Sequence, residues 1–82
     1  RFNLFPNPTD QVFRLLFEMP LRAETEWILF DQNGIRRSTG WLRKNEEELM
    51  INVAHLPAGV YFIQLFHDKY LWKPRRFIII HH

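Results

Sequence analysis

Residues 59–67 read GVYFIQLFH, and the reading of this stretch decides the fold. Tyr61, Ile63 and Leu65 fall on one face; Val60, Phe62 and Phe66 fall on the other. A period of two means a strand. Both faces are apolar over most of its length, which predicts a central strand. Just upstream, Leu56-Pro57-Ala58-Gly59 has turn chemistry, and Tyr61 stands just inside the strand. This fits a tyrosine corner, whose hydroxyl bonds to the backbone a few residues upstream in immunoglobulin-like sandwiches. A plain core aromatic suits the same position, and the two readings are compatible.

Working outward, the neighbours read the same way. In QVFRLLFEM, residues 11–19, Phe13, Leu15 and Phe17 share a face opposite Arg14 and Glu18, again strand spacing. EWILFD, residues 26–31, stops at Asp31-Gln32-Asn33-Gly34. Asn and Gly accept a positive φ, so this is hairpin chemistry. Residues 35–42 form the return strand, interrupted at Ser38-Thr39-Gly40. KNEEELMINVAHL, residues 44–56, is ambiguous. Asn45 before three glutamates resembles a helix cap, yet Leu49, Ile51 and Val53 alternate as in a strand. The all-strand surroundings favour the strand. A turn is expected at His67-Asp68-Lys69. The last segment is a basic stretch, Lys73-Pro74-Arg75-Arg76, running into Phe77, Ile78, Ile79 and Ile80. At the other end stands Phe5-Pro6-Asn7-Pro8-Thr9, a stiff, unpaired lead-in, because proline fixes φ and lacks a donor. Short strands at this spacing predict an all-β fold, an immunoglobulin-like antiparallel β-sandwich of about seven short strands.

Composition narrows the function classes. The 82 residues suit one domain, 1–82, and a domain this small buries only about 60% of its unfolded surface. Cysteine is absent, which excludes disulfides and thiolate-ligated metals. Stabilisation must come from apolar content, 46% of residues, including 8 phenylalanines. A net charge of +2 is too small for a nucleic-acid binder. No apolar run approaches the roughly 20 residues that span a bilayer, so no stable membrane insertion is expected. Arg1 is not a start methionine, and the chain reads as a fragment of a longer one. His81-His82 reads as a purification-tag remnant and is set aside.

Catalytic chemistry is hard to assemble. Ser38 is the only serine and lacks the G-x-S-x-G context. His55 and His67 are far apart, with no carboxylate at an informative spacing. Glu46-Glu47-Glu48 reads as a solvated charge run. With three glycines, at 34, 40 and 59, no glycine-rich phosphate loop is possible. No enzyme activity and no cofactor are expected. Trp27, Trp41, Tyr70 and Trp72 could stack against a sugar, although Trp27 fits the core better. The basic stretch could meet an anionic partner, or it could guard a sticky strand.

FNLFPNPT, WILFDQNGI, LPAGVYFIQL and KPRRFIII occur in this order across the chain. The ordered set resembles the type A C-terminal sorting domain of type IX secretion system cargo, from Phe2 to Ile80. The resemblance implies a recognition module that is exported, passes the periplasm in transit and reaches the cell surface or exterior. Its implied partners are the type IX translocon, outer-membrane shuttle components and a sortase of the cysteine peptidase type that cleaves on its N-terminal side. Carried over residue by residue, the signal motifs are Pro6, Asn7 and Pro8; Asp31 and Gly34; Gly59 and Tyr61; and Lys73, Arg75 and Arg76 with Phe77, Ile78, Ile79 and Ile80. Pro74 interrupts the basic run, so the last strand should start later than the motif suggests. The alternative is an immunoglobulin- or fibronectin-like adhesion or carbohydrate-binding module on a secreted enzyme.

Overall fold

The computed structural model describes residues 2–67 and 70–81. Its strands are β1 (Phe2–Phe5), β2 (Val12–Phe17), β3 (Thr25–Asp31), β4 (Arg36–Leu42), β5 (Glu48–Asn52), β6 (Gly59–His67), β7 (Tyr70–Leu71) and β8 (Arg75–Ile79). The eight exceed the expected seven or so. Phe2–Phe5, which runs into the proline-flanked lead-in, forms a paired strand of its own, and Tyr70–Leu71 adds a two-residue one. All pairing between strands is antiparallel, and the described residues contain no helix. β1-β2-β5 make one sheet. β4-β3-β6 make the other, with β7 and β8 following each other along the far edge of β6. β6 is therefore the central strand its two apolar faces predicted.

The alternation along each strand builds the core. Phe13, Leu15 and Phe17 from β2 are buried against Leu29, Tyr61, Ile63, Leu65, Phe77 and Ile79 of the other sheet. Burying such a side chain stabilises by about 1.5–3 kcal/mol. Phe13 and Phe77 stack across the sandwich, centroids 3.9 Å apart and planes 13° from parallel.

The ambiguous segment is a strand. Residues 48–52 pair with β2, which satisfies the β2 edge that β1 leaves open. A helix there would leave those backbone groups unpaired. Asn45 takes φ 74° in the preceding turn, so it is a turn residue and not a helix cap.

The return strand departs from expectation. β4 runs unbroken through Ser38, Thr39 and Gly40, which pair with Leu29, Ile28 and Trp27. Gly40 is needed there because Trp27 lies across it: a Cβ at position 40 would sit 2.7 Å from the indole Nε1. The irregularity comes earlier, as a register shift between Leu29 and Phe30 that skips Arg37. The last strand starts at Arg75, just after Pro74, as the proline requires. The turn expected at His67-Asp68-Lys69 rests on Asp68 and Lys69, which lie outside the described residues, as does His82.

Candidate functional site

Asp31 closes β3 and organises the turn that follows. One carboxylate oxygen accepts from the Asn33 and Ile35 amides at 2.9 and 3.0 Å; the other accepts from Arg37 Nε at 3.0 Å. Burial pushes this carboxyl up, but the Ile35 amide, Arg37 and the Asn33 amide outweigh it and hold the group below its ordinary value. Gly34 takes φ 79° in the same turn, a conformation that costs glycine little.

Gly59 opens β6 at φ 156°, and Tyr61 follows on the core side. The Tyr61 hydroxyl donates to the Pro57 carbonyl at 2.6 Å, the bond expected of a tyrosine corner. Burial raises its pKa; Asp31 adds to the rise, while Arg37 opposes it. The hydroxyl therefore stays protonated and remains a donor. These two motifs meet in the register: Asp31 pairs with Tyr61, and Tyr61 pairs with Phe77. The Tyr61 and Phe77 rings lie 5.9 Å apart. One row across three strands thus joins the hairpin, the corner and the last strand.

The proline-flanked lead-in joins the same assembly, which corrects its reading as unpaired. Both of its X–Pro peptide bonds are cis. Ile78 N–H donates to Asn7 Oδ1 at 3.0 Å. Thr9 N–H donates to the Ile78 carbonyl at 2.9 Å, and Ile80 N–H donates to the Thr9 carbonyl at 2.8 Å. Thr9 and Ile79 form a parallel bridge. The lead-in thereby covers the open edge of β8 over residues 78–80. Pro6 and Pro8 are exposed and flank the one side chain, Asn7, that caps an edge amide. Thr9 is buried, and its hydroxyl donates to the Val12 carbonyl at 2.7 Å. Sequence reasoning missed Thr9, because nothing local marks it apart from any threonine after a proline.

The basic residues have separate fates. Arg75 donates to the Phe2 carbonyl at 2.9 Å and sits over the Phe2 ring at 5.1 Å, so it ties β8 to β1. Arg76 and Lys73 are exposed, and neither joins an ion pair among the described residues. His81, set aside on sequence, bonds to Asp10 at 2.9 Å and to the Leu56 carbonyl at 2.7 Å.

The aromatic residues do not share a face. Trp27 packs on the core, Trp72 packs against Phe2 and Phe17, and Trp41 projects from the outer face of β4. Only Tyr70 and Trp72 are neighbours, edge to face at 6.2 Å. Among the described residues no group of three or more His, Asp or Glu could hold a metal ion.

A family model described as the secretion system C-terminal sorting domain matches residues 3–80. No curated protein matches the chain. The matched span runs from the lead-in through the last strand and contains all four motifs that converge in the fold. Such a tail marks a secreted protein, exported to the cell surface or beyond. The chain belongs to the secretion system C-terminal sorting domain family, the sorting signals of the type IX secretion system.

Proposed function

We propose that the chain is an export tag with no catalysis of its own, read as a folded unit by the type IX translocon and its outer-membrane shuttle components. It crosses the periplasm with its cargo. A sortase of the cysteine peptidase type then cuts on its N-terminal side, leaving the cargo at the cell surface or free. The observation that carries this reading is the union of the two chain ends. Asn7 and Thr9 hold residues 78–80, so the signal motifs at 6–8 and 73–80 form one surface next to the segment a sortase would grip. Pro6 and Pro8 stop the sandwich from fraying into that segment.

The test is a fusion to a periplasmic reporter in cells with a working type IX system. The whole chain is expected to export the reporter. Removing residues 76–80 is expected to trap it, because the lead-in then has no strand to hold. Export that survives this deletion would overturn the assignment of the last strand.

A further inference from the structure

We infer that the outer face of the five-stranded sheet is a docking groove for an acidic, apolar-bearing peptide segment of the export machinery. This rests on the function proposed above and adds which surface is read and by what chemistry.

The groove follows from the register. The residues facing away from the core line up across three strands as Phe30, Phe62 and Arg76. Phe30 and Phe62 are only half-buried, and among the described residues no further sheet covers this face. They floor a groove of ≈ 550 Å³ bounded by Pro74, Lys73, Arg76 and the turn at Gly34. A side chain at Gly34 would meet nothing within 4 Å, so the groove stays open on that side.

Charge complementarity selects the occupant. Among the described residues Asp31 is the sole acid on the groove wall, and Arg37 already pairs with it at 3.0 Å. Lys73 and Arg76 have no ion pair among the described residues. Two uncommitted cations beside two phenyl rings suit carboxylates next to an apolar side chain. The guanidinium can take a carboxylate bidentately, and the rings can bury the apolar group. The volume admits a few side chains and no folded domain. A lipid surface fits less well, because a net charge of +2 with 9 acidic residues leaves no broad basic face. Arg75, adjacent to Arg76 in sequence, is excluded from this role by its bond to Phe2.

The test uses the reporter fusion carrying the whole chain. Lys73→Glu with Arg76→Glu should cut export about tenfold or more while the thermal melt stays unchanged. Should that pair misfold, Lys73→Gln with Arg76→Gln should cut export in the same direction. Arg43→Glu with Lys44→Glu makes the same charge change in an exposed loop and should export normally. If the unaltered fusion fails to export, the proposed function itself fails. If it exports and the folded groove variants export equally well, only the groove fails. Equal losses in the loop control would also overturn it, since net charge would then be the cause. In solution, a short peptide of aspartate and phenylalanine should shift the amide resonances of Phe30, Phe62 and Arg76, and its lysine counterpart should not. Shifts with phosphatidylglycerol vesicles and none with the acidic peptide would assign the face to lipid and overturn the inference.

Discussion

The five-stranded sheet has two outer edges, and they are guarded by different means. The β4 edge guards itself. Its register shift at Arg37 and its exposed arginines at 36 and 37 come from its own sequence. Such devices discourage another strand from pairing there. The β8 edge is apolar at residues 77–80 and borrows its guard from Asn7 and Thr9, with Asn7 standing 71 residues from Ile78. A local guard is present whenever the strand forms. A borrowed guard exists only when the whole sandwich has closed, so the edge of β8 reports on the folded state of the chain.

The strongest way to break this comparison is to remove β8 from the core. Phe77→Ala deletes a fully buried ring stacked on Phe13 and should cost about 3–5 kcal/mol. Total stability runs to about 0.05–0.15 kcal/mol per residue, so much of it would go. A urea titration measures this, and a loss under about 1 kcal/mol would mean that β8 is an appendage and not a core strand.

Gly40→Ala tests the self-guarded edge. Its new methyl meets the Trp27 indole at 2.7 Å, and the overpacking should cost about 1–3 kcal/mol. Because the edge devices at 36 and 37 remain, the variant should stay monomeric when unfolding and size are measured together. Asn7→Ala tests the borrowed guard. It leaves the Ile78 amide to solvent and should cost about 0.5–1.5 kcal/mol. It should nonetheless raise concentration-dependent association in size-exclusion chromatography, where Gly40→Ala does not. Equal association of the two variants would erase the distinction between the edges.

The smallest effects are in pH. Both nitrogens of His81 face oxygen acceptors, on Asp10 and Leu56, so the charged ring makes both bonds. The Asp10 carboxylate first, and then the Leu56 carbonyl, raise its pKa above 6.5. Stability from His81 is therefore complete below 6.5 and is lost as pH rises through the raised value. Asp31 behaves oppositely. Its burial is outweighed by its donors, so the pKa lies below 3.8. Its contribution is present above 3.8 and is lost as pH falls through the lowered value. Thermal melts across pH should show that His81→Ala flattens the neutral side of the profile and Asp31→Asn flattens the acid side. A profile unmoved by either substitution would contradict these pairings.

Much of the fold is legible because burial writes a period of two. That pattern marked Phe13, Leu15 and Phe17, and it marked the central strand at 59–67. Turn chemistry marked Asp31, Gly34 and Gly59, since positive φ is a local demand. The upstream hydroxyl bond of Tyr61 could be expected from its place after a turn. The continuity of β4 could not be read, because Ser38-Thr39-Gly40 resembles a break. Gly40 is explained only by the Trp27 ring that covers it.

Most strands, the turns and the family are thus legible along the chain, because alternation, turn residues and ordered motifs are properties of neighbours in sequence. Tertiary structure alone decided partnership. It assigned the lead-in to the edge of β8 and Arg75 to Phe2, and it left Arg76 and Lys73 beside Phe62. It also gave His81 two acceptors. Such assignments depend on which strands lie side by side and in what register, and a one-residue slip would send each side chain to the opposite face.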